Sequence, residues 1–355
     1  ATMTELEATG GFWARWIIVK GNPKDFFARL RPVLLAKKIA PEVARIQSLQ
    51  TYIADSRPDV ILSALPYANL CAIWAKEISG SRVPVIVSER IALSTHCAAP
   101  SNFRKWKWRY LPELVRRTYP KADRVIAVSD HVADELITTI GLHQDSVITV
   151  HNPVVDDNLR TRAQQTLEHP WFAQDEPPVI LAAGRFTEQK DFATLIRAFA
   201  AVRADKEARL VILGEGRLRD DLEQLVCTLG IQADVCMPGF VENPFQYMAR
   251  ASVLVLSSAY EGLPGVLIQA LACGCPVIST DCPGGSSEIL EDGKYGALVS
   301  IGKADEMAKA VLAELDDPTP REILLRRAED FSVERAVNSY LALLDTAVNQ
   351  AADRT

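Results

Sequence analysis

No run of about eighteen apolar residues occurs in the chain, so no segment reads as a membrane-spanning helix. Its start carries no cationic, apolar, small-residue leader, and the expected location is the cytoplasm. Paired cysteines are missing too. Cys71, Cys97, Cys227, Cys236, Cys273, Cys275 and Cys282 are odd in number and scattered, which suits reduced thiols and not a disulfide framework. Cys273 and Cys275 have no second pair at metal-ligand spacing and read as small packing residues. Basic charge is in deficit, with 39 Lys and Arg against 45 Asp and Glu, which argues against general nucleic-acid binding. Residues 1–20 also lack an apolar strand running into a glycine-rich turn, offering only Ala8-Thr9-Gly10-Gly11 after an acidic start. Either the first strand is unusual or an N-terminal segment is missing, and the second reading is the expectation.

What is present fits two domains. A chain of 355 residues, 48% hydrophobic and 24% charged, has the length and balance of a soluble globular protein with two cores. Short β-branched runs at residues 59–64, 83–88 and 124–129 read as buried parallel strands separated by amphipathic stretches. The rhythm restarts at 179–183 and continues through 209–213, 235–237, 253–256 and 276–279. Repeated alternation of this kind predicts doubly wound parallel sheets, here two of them. The polar, proline-bearing stretch 151–178 reads as the linker, giving domains at 1–155 and 156–330. A tail helix within 331–355, with Ala336, Tyr340, Leu341 and Leu344 on one face, is expected to cross back to the first domain.

Chemistry concentrates in two loops of the second domain. The first is Ser257-Ser258-Ala259-Tyr260-Glu261-Gly262-Leu263-Pro264-Gly265-Val266. A strand ends before it, and a helix is expected to begin near Pro264, because proline suits a first turn, and to end at Gly274. The amides of Gly265 and Val266, backed by the helix dipole, would form an anion site with Glu261 beside it. A plain strand–turn–helix with Glu261 capping backbone amides would use the same residues. The second loop is Gly184-Arg185-Phe186-Thr187-Glu188-Gln189-Lys190, at a strand end and before a helix at 192–202. Arg185 and Lys190 would face the same crevice, where a diphosphate needs cations and a guanidinium grips in bidentate fashion. Either residue alone reads as a surface charge; two loops meeting at one crevice favour the site.

Residues 101–121 stand apart, with Arg104, Lys105, Lys107, Arg109, Arg116, Arg117 and Lys121 against the single acid Glu113, interleaved with Phe103, Trp106, Trp108, Tyr110 and Tyr119. Such a mixture suits a membrane interface. Lys105, Arg109 and Arg116 would share one helix side and could grip a lipid diphosphate. A solvated helix whose aromatic rings pack into the core is the plainer alternative.

The order Gly-Arg-Phe…Lys190, Gly214-Glu215-Gly216, Pro238-Gly239-Phe240-Val241, then Glu261-Gly262-Leu263-Pro264 and Ala272-Cys273-Gly274-Cys275-Pro276 resembles the GT4 family of retaining glycosyltransferases. Fainter echoes lie at Ser63-Ala64-Leu65, Ser88-Glu89-Arg90 and Ala127-Val128-Ser129. Among its branches, the one that builds bacterial lipid-linked glycans and exopolysaccharides is most similar. The resemblance implies a GT-B fold, two Rossmann-like domains facing a cleft, with the donor in the second and the acceptor on the first. It implies that Arg185 and Lys190 hold the donor diphosphate and that Glu261 contacts the transferred sugar. Gly184, Leu263, Gly265 and Val266 would line sugar and phosphate, and Phe240 and Val241 would lie against the base. The implied donor is a nucleotide-linked hexose or N-acetylhexosamine, UDP favoured over GDP. The implied acceptor is a glycan or a polyprenyl-diphosphate-linked sugar at the cytoplasmic membrane face.

The sequence departs from that pattern at Gln269, which stands where most relatives carry a second glutamate for the ribose, and accepts without charge. Arg90 occupies the place where many relatives have a histidine near the reacting sugar and is expected to contact the acceptor or membrane, and the five histidines read as dispersed structural or surface residues. Glu288, after Gly284-Gly285, reads as a cap for the following helix. No Asp-x-Asp pair occurs, so metal-independent transfer with no cofactor is expected, cations and a helix N-terminus doing the electrostatic work. A sugar-nucleotide epimerase and a non-catalytic sugar-nucleotide-binding protein are the alternatives; a nicotinamide enzyme is disfavoured because no Gly-x-Gly-x-x-Gly follows a strand.

Overall fold

The computed structural model describes residues 40–353 apart from residue 104. The expected opening of the first domain, and Arg104, lie outside the described residues. Short β-branched runs with apolar residues on both faces can only be buried as strands covered by helices, and that is what forms. The first sheet contains β1 (Ile61–Ala64), β2 (Val85–Glu89), β3 (Arg124–Ala127) and β4 (Val147–Thr149), all parallel and in that spatial order. The second contains β5 (Val179–Ala183), β6 (Arg209–Leu213), β7 (Val235–Gly239), β8 (Val253–Leu256), β9 (Val277–Thr280) and β10 (Ala297–Val299). Its order is β10-β9-β8-β5-β6-β7, again parallel. The winding reverses between β5 and its neighbours β6 and β8. A crevice therefore opens at the carboxyl ends of β5 and β8, where the two adjacent crossovers leave in opposite directions.

Three expectations change. β4 and β10, three residues each, are too short to show a pattern in the sequence and were not foreseen. The stretch 151–178 is not simply a linker: Asp157–Ala163 is a helix, capped by Asp156 accepting from Leu159 N at 2.7 Å. That helix buries Leu159 and Ala163 against the helices Phe245–Met248 and Gly265–Cys273. The last helix, Val333–Ala352, lays Tyr340, Leu343, Leu344 and Ala347 over Ile86, Ile126 and Val150 of the first sheet. Leu341, expected on one face with Ala336, Tyr340 and Leu344, is 43% exposed, because the apolar stripe runs one residue to its side.

Candidate active site

The floor of the crevice is backbone laid on backbone. A Cβ on Gly214, whose φ is 136°, would stand 1.9 Å from the Gly184 carbonyl oxygen, and one on Gly216 would stand 2.5 Å from that of Phe186. Only glycine permits this approach. It is cemented by Gly184 N donating to Leu213 O and Phe186 N to Glu215 O, both at 2.9 Å. Phe186 is fully buried beneath the turn, so its flanking residues are turned outward: Arg185 is exposed, and its side chain makes no hydrogen bond or ion pair among the described residues.

Lys190 and Glu261 meet across this crevice. Lys190 Nζ donates to Glu261 Oε1 at 2.5 Å, and Ser258 Oγ donates to the same oxygen at 2.6 Å. Both side chains are mostly sequestered, 17% and 10% exposed, so the pair gains strength from a lowered local dielectric. Two adjacent buried serines hold the partners. Ser257 Oγ donates to the Lys190 carbonyl at 2.7 Å, while the Ser258 carbonyl accepts from Thr280 Oγ1 at 2.5 Å. With Oε1 doubly engaged, Oε2 is the carboxylate oxygen left without a hydrogen-bond partner among the described residues. Ser258 lies in the loop singled out by the sequence, but its contact with Glu261 was not foreseen, since a serine in a serine pair looks like any turn residue.

Immediately beyond, Pro264 caps the helix Gly265–Cys273, which ends at Gly274 in the left-handed region at φ 70°. No side chain caps its N-terminus, a Cβ on Gly265 would meet nothing within 4 Å, and the amides of Gly265 and Val266 donate no hydrogen bond among the described residues. Leu263 is buried beneath the turn, and Gln269 lies half-buried one helical turn beyond Gly265. On the far side, Phe240 is 82% exposed after Gly239, with Val241 half-buried beside it. The structure thus assembles Gly184, Arg185, Lys190, Glu261, Leu263, Gly265 and Val266 around one crevice.

The first domain closes on it. The Arg90 carbonyl lies so near Gly262 that a Cβ there would stand 2.1 Å away. The Arg90 guanidinium points away from the crevice, donating to Asn152 Oδ1 at 2.5 Å and to Tyr340 OH at 3.4 Å, so it ties the domain edge to the last helix. Glu89, fully buried, accepts from Tyr119 OH at 2.9 Å and from Arg90 N at 3.0 Å, and Tyr119 OH accepts from Asn69 at 2.9 Å. Burial pushes the Glu89 carboxyl up to about 7 against these hydrogen bonds. His96, read from the sequence as a dispersed histidine, stands edge-on to Tyr260 with ring centroids 5.7 Å apart, and its ring nitrogen lies 3.2 Å from Asn102. Its place on the short helix Leu93–Ala98 leaves no periodic signal by which to find it.

The basic and aromatic segment divides. Lys105 stands at the N-cap position of the helix Trp106–Thr118, one residue before the helix that carries Arg109 and Arg116, and its Nζ donates to Asn102 Oδ1 at 3.5 Å. Arg109 is exposed, whereas Arg116 and Arg117 both hold Glu113. Of the rings, Tyr119 is core, Trp108 is half-buried, and Phe103 and Tyr110 are 57% and 55% exposed. No helix of the described residues is long and apolar enough to cross a membrane, and none of their His, Cys, Asp and Glu side chains cluster as three or more metal ligands.

Comparison with solved structures defines the class. Anabaena HepE in complex with UDP and glucose superposes with a TM-score of 0.70 over 87% of this chain and 82% of that one, at 21% identity. A sucrose-phosphate synthase from Thermosynechococcus elongatus gives 0.73 over 87% and 79%, at 19% identity. The fold is that of the GT-B glycosyltransferases. Residues 16–158 match the family described as "Glycosyltransferase Family 4", and residues 177–317 match "Glycosyl transferases group 1". A Campylobacter jejuni N-acetylgalactosamine-N,N'-diacetylbacillosaminyl-diphospho-undecaprenol 4-alpha-N-acetylgalactosaminyltransferase is 30% identical over 267 residues, 74% of this chain and 68% of that protein. The lipopolysaccharide core biosynthesis glycosyltransferase LpsE of Rhizobium meliloti is 34% identical over 174 residues, 48% of this chain and 50% of that protein. The chain belongs to glycosyltransferase family 4 and is a glycosyltransferase.

Proposed function

We propose that the protein moves a hexose or N-acetylhexosamine, with retention of configuration, from a UDP-sugar to a glycan carried on a polyprenyl diphosphate. The observation that carries the reading is the Lys190–Glu261 pair, fixed by Ser258 beside uncapped helix amides and the outward Arg185. As the sugar–phosphate bond breaks, negative charge gathers on the departing diphosphate. Arg185, Lys190 and the amides of Gly265 and Val266 meet it, and Glu261 Oε2 accepts from a sugar hydroxyl. This division of labour needs no divalent ion, so transfer is expected to persist in EDTA. Phe240 and Val241 take the base, and Gln269 takes the ribose through one uncharged acceptor. UDP is favoured by the UDP-bound HepE, and a polyprenyl-diphosphate acceptor by the diphospho-undecaprenol in the Campylobacter protein's name. Arg109, with Phe103 and Tyr110, offers an exposed surface for a cytoplasmic membrane face rich in anionic lipid.

Thermal unfolding with UDP, GDP, ADP and NAD in parallel tests the donor half. UDP alone should raise the midpoint, and Arg185→Ala should abolish that rise. No rise with any nucleotide would sink the donor assignment. Acceptor screening with polyprenyl-diphosphate sugars tests the other half.

A further inference from the structure

We propose that Glu288 is a positioning residue that docks the first domain onto the donor loop and so sets the cleft in its closed arrangement. The inference rests on the donor reading of the Glu261 loop.

Glu288 lies on the short helix Ser286–Leu290 of the second domain, yet its carboxylate serves the first domain. Oε2 accepts from Asp130 N at 2.8 Å, the opening amide of the helix Asp130–Thr138, and Oε1 pairs with His151 Nε2. The carboxylate therefore stands at a helix N-terminus, where the dipole favours an anion, and it is only 17% exposed. This is not the role expected from the sequence, where Glu288 reads as a cap for its own helix.

The neighbouring contacts show what the docking positions. Ser129, the cap of the same first-domain helix, donates through Oγ to Gly262 O at 3.2 Å while accepting from Val132 N at 3.3 Å. Gly262 O also accepts from Gly285 N at 2.7 Å, and Gly262 directly follows Glu261. The seam is cut for backbone approach, since a Cβ on Gly285 would stand 3.1 Å from Ser129 Cβ, besides the close contact of Gly262 with Arg90. Behind the seam, Arg327 braces the Glu288 helix, donating to Glu288 O at 2.6 Å and Ile289 O at 2.9 Å. Glu288 is thus held firmly from its own side and reaches across to two donors on the other.

Small-angle X-ray scattering of the full chain, with and without UDP, tests this together with the UDP dissociation constant and the unfolding midpoint. Glu288→Ala should raise the radius of gyration by about 1 Å over the roughly 20 Å of a compact chain this long, with UDP affinity within twofold of the parent. Gly262→Ala, whose Cβ would stand 2.1 Å from the Arg90 carbonyl oxygen, should also open the molecule, by a clash in the seam and not by loss of a tether. Glu291→Gln, which alters a carboxylate of the same segment that does not cross the seam, should leave the curve unchanged. Should Glu288→Ala prove unstable, His151→Gln reads the same contact with a milder change. Parental scattering from the Glu288 and His151 variants would overturn the proposal, and so would a parallel loss of UDP affinity, which would put Glu288 in the donor site itself. If UDP binds no form of the protein, the donor reading fails while scattering still decides the seam.

Discussion

Two buried glutamates follow or end parallel strands on the two sides of the cleft, and the protein treats them oppositely. Glu261, beyond β8, is 8% exposed and keeps its charge company with Lys190. Glu89, closing β2, is 0% exposed and accepts from a phenol and a backbone amide. The first arrangement suits a site that must receive a charged ligand, because the ion pair can reorganise around incoming phosphate. The second suits an anchor, because a carboxyl that can hold its proton fixes the β2 edge without an unbalanced charge. Burial alone does not tell a site from a scaffold; the partners do.

The comparison breaks most sharply at the ion pair. Lys190→Ala removes a diphosphate cation and leaves Glu261 with Ser258 alone, and should lower kcat/KM for transfer by about 10²–10³-fold. Glu261→Gln keeps the shape and the Ser258 contact, and should lower kcat by about 10²-fold while calorimetry finds UDP affinity little changed.

Glu89 sharpens the contrast through pH. Its folded carboxyl titrates at about 7 against an ordinary value of 4.5, so between those values the unfolded chain has released a proton that the folded chain still holds. Stability attributable to it is therefore intact below 4.5 and falls as pH rises to about 7, by about 3 kcal/mol in all. Glu89→Gln should flatten that decline in denaturant titrations across pH and leave the acidic end unchanged. Tyr119→Phe, which strips a donor from Glu89 and an acceptor from Asn69, should cost about 1–3 kcal/mol at neutral pH. The smallest effect belongs to the surface. Arg109→Ala should leave the unfolding midpoint unchanged while weakening binding to anionic vesicles, measured by co-sedimentation.

β5, β6, β8 and β9 were legible because each is an apolar run of four or five residues that the sheet buries almost completely. β10 has three residues and the helix Asp157–Ala163 only two turns in a polar stretch, too little for a periodic pattern to stand out. The two loops were legible through their charged residues and motif order, Arg185 and Lys190 in one and Glu261 in the other, whereas the close approach of Gly214 to the Gly184 carbonyl shows only in the fold. Residues acting across the domains left no such trace. The duties of His96 and Glu288 depend on partners 164 and 158 positions away, and within one domain Ser258 meets Glu261 only when their turn folds. Arg90 could be located from its motif, yet its guanidinium turned to Asn152 and Tyr340, a direction set by the last helix.

The glycine-on-carbonyl floor limits how such a chain can diversify. At 214 and 216 no side chain of any kind fits without parting two strands' ends, so mutation there destroys the crevice before it can retune it. On the donor reading proposed above, drift in donor preference falls to the rim, where Phe240 projects freely and Gln269 is only half-covered. A laboratory library aimed at a different nucleotide should leave the floor untouched and spend its diversity on those two positions.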